Sequence, residues 1–201
     1  MLNQLLPLTG VLWIAALTPG PNNLVVLRAS SRAGLRGALP AIVGIVLGGL
    51  LLLLLAALGA ATVFIAQPSL QRWVGTLGAL YLAWLGTSLL AGSIRPASAH
   101  ATSGAIALPA GMLGLIGFQF LNPKSWVMVL TALASLPATG LRSYLPLAAL
   151  FAAIPSFCLL LWAGLGTLLA RALARPLIRR RVDAGMGALL IACAGLLLIE
   201  P

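Results

Sequence analysis

The sequence predicts an all-α integral membrane protein with six transmembrane helices, arranged as two three-helix repeats of inverted topology. Composition gives the class: of 201 residues, 61% are hydrophobic and only 7% are charged, whereas about 25% of a soluble domain is charged. The charge-free stretches are long, and a helix needs about 20 apolar residues to cross a bilayer. The stretches fall into two groups around one polar segment, which predicts the repeat.

Six segments are long enough to span the membrane. We predict helices at residues 5–28, 39–66, 73–92, 108–135, 144–170 and 182–200. The first is expected to be a retained helix and not a cleaved signal peptide, because residues 1–17 contain no lysine or arginine and a signal peptide needs a basic start. Strands of a membrane barrel alternate in polarity over about 10 residues, so these uninterrupted runs favour helices. Residues 1–201 are thus expected to form a single membrane domain.

The polar segment divides this domain into two halves. We predict a first repeat at residues 1–92, a cytoplasmic linker at residues 93–107 that contains His100, and a second repeat at residues 108–201. Because each half has an odd number of helices, the second repeat starts from the opposite side of the membrane. Inverted repeats of this kind bind a substrate where the halves meet and expose it alternately to the two sides. The pattern therefore predicts a transporter and not an enzyme.

Cationic residues predict the orientation. The predicted ends of helices 1, 3 and 5 carry nine arginines, whereas the opposite side carries only Arg72 and Arg142. The nine are Arg28, Arg32, Arg36, Arg95, Arg171, Arg175, Arg179, Arg180 and Arg181. By the positive-inside rule their side is cytoplasmic, so both termini are expected outside. The net charge of +10 then indicates contact with anionic membrane lipids and no nucleic-acid partner, because the charges flank apolar spans.

Two of the predicted helices are broken near the middle of the membrane. The breaks, at residues 18–23 and 122–124, contain proline, glycine and asparagine. Proline frees backbone groups there, and within a membrane these groups must face a protein-lined cavity. Paired broken helices indicate a substrate site. The candidate substrate-binding residues are Thr18, Pro19, Gly20, Pro21, Asn22, Asn23, Gln119, Asn122, Pro123, Lys124 and Ser125.

Four segments carry a resemblance to a known family. They are TPGPNN at 18–23, SRAGLRGALPAIVGIVLGG at 31–49, GALYLAWLGTSLL at 78–90 and FLNPKSW at 120–126. Through these four segments the chain resembles the LysE/RhtB family of bacterial amino-acid exporters, and the resemblance covers nearly its whole length. The resemblance implies secondary transport, without ATP, of an amino acid or a close derivative across the bacterial inner membrane. The predicted outside, with both termini, is then the periplasm.

Lys124 is the single cation far from a predicted membrane edge. A lysine at the centre of a membrane helix costs about 2.5–3.5 kcal/mol on insertion scales, so it is a functional candidate. It is expected either to bind the carboxylate of the amino acid or to neutralise a carbonyl freed at a break. Thr18 and Asn22, beside the prolines, are likewise expected either to contact the substrate or to cap freed backbone groups.

The ammonium group of the substrate has no obvious acidic partner. Asp183 and Glu200 are the only acidic residues, and neither is predicted near the midplane. Backbone carbonyls, asparagines or a cation–π face at Tyr81 or Trp84 are the other partners. This shortage favours a neutral amino acid over a dibasic one. The candidates for carrying a coupled proton are the substrate itself, Lys124, His100 and Asp183.

A different class of function stays open at Cys158 and Cys193. A membrane thiol-disulfide oxidoreductase would carry electrons through such a pair, but no CxxC is present, and buried cysteines also pack as small hydrophobes. Gly44 and Gly48 allow either internal packing or a homo-oligomer interface. Pro155 is either a gating hinge or a packing irregularity. The sequence contains no metal cluster, phosphate loop or catalytic triad, so we expect no metal and no cofactor.

Overall fold

The computed structural model describes residues 2–94, 111–135 and 141–199. All regular structure in these residues is helical, and no strand occurs among them, which confirms the predicted all-α class. Most of the predicted linker, including His100, lies outside the described residues, as does Glu200. The six-span topology and the division into two repeats stay predictions.

The described residues form eight α-helices. They are α1 Leu2–Leu17, α2 Pro21–Leu55, α3 Ala61–Ala66, α4 Pro68–Ile94, α5 Gly111–Leu121, α6 Pro123–Ala134, α7 Leu145–Leu173 and α8 Pro176–Ile199. A π-helical segment, Ala56–Ala60, joins α2 to α3, and a 3-10 turn, Leu141–Tyr144, precedes α7. The first predicted break lies between α1 and α2, and the second lies between α5 and α6.

The turn predicted after the first break is present but is shorter than expected. We expected one helix to end at residue 28 and the next to begin at residue 39, but the helical backbone of α2 is interrupted only at Gly34. Gly34 has a φ of 68°, a left-handed conformation that glycine adopts without the penalty imposed by a Cβ. The chain therefore changes direction at a single residue. As a consequence, Arg28 lies within a helix and not in a turn.

Three helical stretches in the described residues are long and apolar enough to cross a membrane: Pro21–Ala66, Pro68–Ser93 and Leu141–Ala172. Leu5–Leu17 and Gly111–Leu121 are shorter apolar helices. Large apolar side chains cover the outer surface, and Leu6, Leu113 and Leu168 are 79%, 79% and 81% exposed. Soluble monomers rarely expose wide apolar surfaces, so the described surface is typical of a membrane protein.

Helix packing brings the second break against α2. Helix α2 packs mainly against α5 and α7, while α4 packs against α8. The contact between α2 and α5 is close at two glycines: a Cβ on Gly44 would lie 2.8 Å from the Met112 carbonyl oxygen, and one on Gly48 would lie 2.8 Å from the Ile116 carbonyl oxygen. Both distances are too short for a real Cβ, so this glycine pair serves internal packing.

Candidate functional site

The first break leaves the start of α2 open. Helix α1 ends at Leu17, and the backbone at Gly20 is extended (φ −169°, ψ 177°) before Pro21 begins α2. Proline suits the first position of a helix because it lacks the N–H that would be unpaired there. Among the described residues, no side chain caps this end of α2. The helix therefore presents backbone N–H groups, and the positive end of its dipole, without a side-chain partner.

The carbonyl groups freed at the end of α1 are bound by side chains from three other helices. The Thr18 carbonyl oxygen accepts hydrogen bonds from Lys124 Nζ at 2.8 Å and from Asn23 Nδ2 at 2.8 Å. The Leu17 carbonyl oxygen accepts one from Trp162 Nε1 at 3.3 Å. Unsatisfied backbone groups are costly within a membrane, so these contacts stabilise the break.

The second break is closed differently. The Asn122 side chain accepts a hydrogen bond from the Lys124 backbone N–H at 3.2 Å and so caps α6. The Phe120 carbonyl oxygen accepts one from Trp126 Nε1 at 2.8 Å. The two half-helices that begin at the breaks therefore differ, because α6 has a side-chain cap and α2 has none.

A pair of amides joins the two breaks. Asn22 Nδ2 donates to Gln119 Oε1 and Gln119 Nε2 donates to Asn22 Oδ1, both at 3.0 Å. Ser125 Oγ donates to the same Gln119 Oε1 at 2.8 Å. Gln119 is only 1% exposed, so its amide is bound within the protein. The residues at the two breaks form one central cluster: Thr18, Asn22, Asn23, Gln119, Asn122, Lys124 and Ser125.

Lys124 lies beside the open start of α2. A Cβ on Gly20 would be 3.3 Å from Lys124 Nζ, so the ammonium group stands next to the residue that precedes the helix. A cation and a positive helix end thus meet at one point, an arrangement that attracts an anion. The observed partner of Lys124 is the neutral Thr18 carbonyl. This contact matches the second role expected for Lys124, which is to neutralise a carbonyl freed at a break. No carboxylate among the described residues pairs with Lys124.

A central cavity of about 60 Å³ lies between the breaks. The candidate residues that line it are Gly20, Pro21, Asn22, Asn23, Gln119, Asn122, Lys124 and Ser125. Thr18 acts through its carbonyl, whereas the side chains of Pro19 and Pro123 are not part of the wall. The rest of the wall is largely apolar and includes Ile45, Phe151 and Leu159, together with Pro155. Sequence reasoning missed this apolar wall.

Other predicted residues lie away from the central cavity. Tyr81 packs against Phe118 with ring centres 4.7 Å apart, and Trp84 is 47% exposed. Neither lines the cavity, so the expected cation–π face is wrong for this site. Cys158 and Cys193 are free thiols and pack in different clusters of apolar side chains.

A charged cluster, consisting of Arg28, Arg179 and Asp183, joins α2 to α8 and was also missed. Arg28 is 9% exposed and donates to Asp183 Oδ1 in an ion pair. Arg179 Nε lies 3.8 Å from Asp183 Oδ2. A second cavity, of about 220 Å³, is lined by all three residues and by Arg32. The sequence predicted Arg28 at the cytoplasmic end of a helix; the structure buries it against the only acidic residue in the described part of the chain.

The chain matches one family model and several proteins named for efflux. The model of the family described as LysE type translocator matches residues 13–201. A cysteine/O-acetylserine efflux protein from Salmonella choleraesuis (strain SC-B67) is 33% identical over 184 residues, which cover 90% of each chain. The protein of the same name from Klebsiella pneumoniae subsp. pneumoniae is 31% identical over 190 residues, 93% of each chain. A leucine efflux protein from Salmonella choleraesuis is 34% identical over 125 residues, 62% of this chain and 58% of the relative.

No solved structure matches the chain. The family match nevertheless spans both helix breaks and nearly all of the sequence. It agrees with the resemblance carried by the segments at 18–23 and 120–126. The chain therefore belongs to the LysE family of translocators.

Proposed function

We propose that this chain is a secondary transporter that exports a neutral amino acid or a close derivative by alternating access at its two helix breaks. The relatives are named for efflux of cysteine, O-acetylserine and leucine. Each of these molecules has an α-carboxylate, an α-ammonium group and an uncharged side chain. The observation that carries the proposal is the position of the Lys124 ammonium, between the Thr18 carbonyl and the open start of α2.

The substrate carboxylate replaces the Thr18 carbonyl as the partner of Lys124. In the bound state the carboxylate oxygens accept hydrogen bonds from Lys124 Nζ and from N–H groups at the start of α2. Hydrogen bonds between charged groups are about twice as strong as those between neutral ones. The exchange of a neutral acceptor for a charged one therefore favours binding. When no substrate is bound, Lys124 is held by the neutral Thr18 carbonyl and not by a carboxylate.

The substrate ammonium takes the place that Lys124 leaves at the Thr18 carbonyl. That oxygen keeps its hydrogen bond from Asn23 and gains a charged donor. A second positive charge, on a lysine or arginine side chain, would meet no carboxylate in the central cluster, and an unpaired buried charge is costly. The apolar wall formed by Ile45, Phe151 and Leu159 instead suits an uncharged side chain.

The two half-helices support alternating access. Helices α2 and α6 both begin at the central cavity, as the broken helices of inverted-repeat transporters do. We infer that six spans form two inverted repeats, at residues 1–92 and 108–201, in the bacterial inner membrane with both termini periplasmic. Rocking of one repeat against the other would open the cavity to each side in turn. Pro155 lies within α7 and in the cavity wall, and we propose that it is the hinge at which α7 adjusts.

The oxidoreductase alternative gains no support. Both thiols are free and lie in separate packed clusters. The relatives are named for efflux and not for electron transfer.

Efflux from liposomes tests the proposal. Purified protein is reconstituted in liposomes loaded with radiolabelled leucine, cysteine, lysine or arginine. We expect the neutral amino acids to leave faster than from protein-free liposomes, and the dibasic ones to be retained. Lys124→Met keeps most of the side-chain length and removes the charge. Its leucine efflux should fall by roughly 10- to 100-fold, because a hydrogen bond to a charged group contributes about 1.5–3 kcal/mol.

Arg142→Met is the matched control, because Arg142 is an exposed cation outside the cavity. It should transport at the wild-type rate. Wild-type efflux from the Lys124→Met variant would remove Lys124 from the site. No efflux of any amino acid by the wild-type chain would refute the proposed function itself.

A further inference from the structure

We propose that the second cavity, beside Arg28 and Asp183, is a binding site for the same zwitterionic amino acid before it reaches the central cavity. This inference rests on the proposed function. The second cavity offers about 220 Å³, compared with about 60 Å³ in the central one. Its wall contains three guanidinium groups, which can bind the substrate carboxylate, and one carboxylate, which can bind the substrate ammonium.

Asp183 has one oxygen available for the substrate ammonium. Its Oδ1 accepts from Arg28, while its Oδ2 is 3.8 Å from Arg179 Nε and so beyond hydrogen-bond distance. An ionised carboxylate can accept about four hydrogen bonds, so the pair with Arg28 leaves acceptor capacity. The Asp183 side chain is 14% exposed and lines the cavity. It provides the anionic group that the central cluster lacks.

Arg32 supplies the partner for the substrate carboxylate. It lines the same cavity and is exposed. Within the described part of the chain it takes part in neither of the two ion pairs. A guanidinium group can bind a carboxylate through two parallel hydrogen bonds. Arg28 is committed to Asp183 and therefore acts as a positioning residue.

Helix α2 connects this cavity to the central one. Asn23 lines the central cavity, and Arg28 and Ser31 line the second. At about 1.5 Å per residue, Arg28 lies roughly 7.5 Å further along the helix than Asn23. By the distribution of arginines, residues 28–36 of α2 are predicted to lie on the cytoplasmic side. An amino acid leaving the cell would meet the second cavity first.

A phospholipid headgroup is the competing occupant, because its phosphate would also contact the arginines. A phosphate alone gains nothing from Asp183, whose negative charge repels it. A zwitterion uses both signs of charge in the wall. The chemistry of the lining therefore favours the amino acid over an anionic headgroup.

Cysteine protection tests this inference. The protein carries Cys158→Ala and Cys193→Ala to remove native thiols, Lys124→Met to disable the central site, and Ser31→Cys as a reporter in the second cavity. It is labelled with a membrane-impermeant maleimide in liposomes of neutral lipid, with and without saturating leucine. We expect leucine to slow the labelling at least threefold. Adding Arg32→Gln should abolish the protection, and because Arg32 is exposed, that change is compatible with the fold.

Ala33→Cys is the matched control, since Ala33 is exposed and does not line the cavity. Leucine should leave its labelling unchanged. Protection of Ser31→Cys only when Lys124 is intact would assign the effect to the central site and overturn the inference. Protection that needs anionic lipid and not leucine would make the cavity a lipid site and overturn it as well. Both outcomes leave the proposed function intact, because wild-type efflux tests that function separately.

Discussion

The central cluster holds its one charge against a neutral carbonyl, whereas the charged cluster holds its charges against each other. Lys124 Nζ donates to the Thr18 carbonyl oxygen at 2.8 Å. Arg28 is paired with Asp183, and both side chains are largely buried. The difference separates two roles: a charge on a neutral partner can be exchanged for a substrate carboxylate, while a buried ion pair resists exchange.

The same difference applies to the helices that the clusters connect. The central cluster links two chain breaks through neutral amides and hydroxyls, such as the Asn22–Gln119 pair. Such contacts can rearrange during a transport cycle without leaving a charge unpaired. The charged cluster links α2 to α8, and its separation would leave a buried charge without a partner. We therefore expect this contact between α2 and α8 to persist while one repeat rocks against the other.

The largest expected effect comes from breaking the ion pair. Asp183→Leu leaves Arg28 buried and unpaired, and removal of one partner of a buried pair costs about 3–5 kcal/mol. Urea unfolding in detergent should show this loss. The double variant Arg28→Leu with Asp183→Leu should recover most of it. Arg179→Leu is the control: Arg179 is 46% exposed and 3.8 Å from Asp183, so its loss should cost at most about 1 kcal/mol. Equal losses for Arg179→Leu and Asp183→Leu would contradict the proposed role of the pair.

Two neighbouring glycines distinguish the packed side of the central cluster from its open side. A Cβ on Gly48 would lie 2.7 Å from Gln119 Cγ, whereas one on Gly49 meets nothing within 4 Å. Overpacking costs about 1–3 kcal/mol, so Gly48→Ala should lower the free energy of unfolding by that amount. Gly49→Ala should be neutral or slightly stabilising, because alanine favours a helix by up to about 1 kcal/mol over glycine. The reverse order of stabilities would refute the proposed packing of α2 on α5.

The smallest expected effect is on side-chain selectivity. Gly49 lines the central cavity, so Gly49→Leu should fill part of the space for the substrate side chain. Export of leucine should then fall by about tenfold relative to export of cysteine, a typical effect for small volume differences in an apolar pocket. Gly75→Leu is the matched control, because Gly75 also has open space around its Cβ position but lies outside the cavity. A parallel loss for leucine and cysteine would show that Gly49 does not determine selectivity.

The parts of this site that sequence reasoning found are those whose residue types are rare in a membrane helix. Proline and asparagine at 18–23 and 122–124 marked both breaks, and Lys124 stood out as a charge within an apolar run. The structure brings these residues to one cavity. Each of these residues is recognisable from its own type and its immediate neighbours, so a single sequence is enough to find it.

The parts that sequence reasoning missed depend on distant or ordinary residues. Arg28 and Asp183 are 155 positions apart, and the turn expected around Arg28 hid its burial. The acceptor for Lys124 is a backbone carbonyl, which every residue has. Ile45 and Phe151 look like any apolar residue of a membrane helix. One signal was available: Trp126 and Trp162 each have an indole N–H that needs an acceptor when buried, and both bind carbonyls freed at the breaks.

The central claim is that Lys124 binds the carboxylate of the transported amino acid. Leucinamide keeps the ammonium group and the side chain of leucine but lacks the carboxylate. The direct test compares the binding of leucine and leucinamide to purified protein with and without Lys124→Met, in a chain that carries Arg32→Gln to remove the second cavity's contribution. With Lys124 present, leucine should bind at least about tenfold more tightly, as expected for one charged hydrogen bond. In the Lys124→Met variant, the preference for leucine over leucinamide should fall by about tenfold, because only the N–H groups at the start of α2 still bind the carboxylate. A full preference for leucine in that variant would contradict the claim.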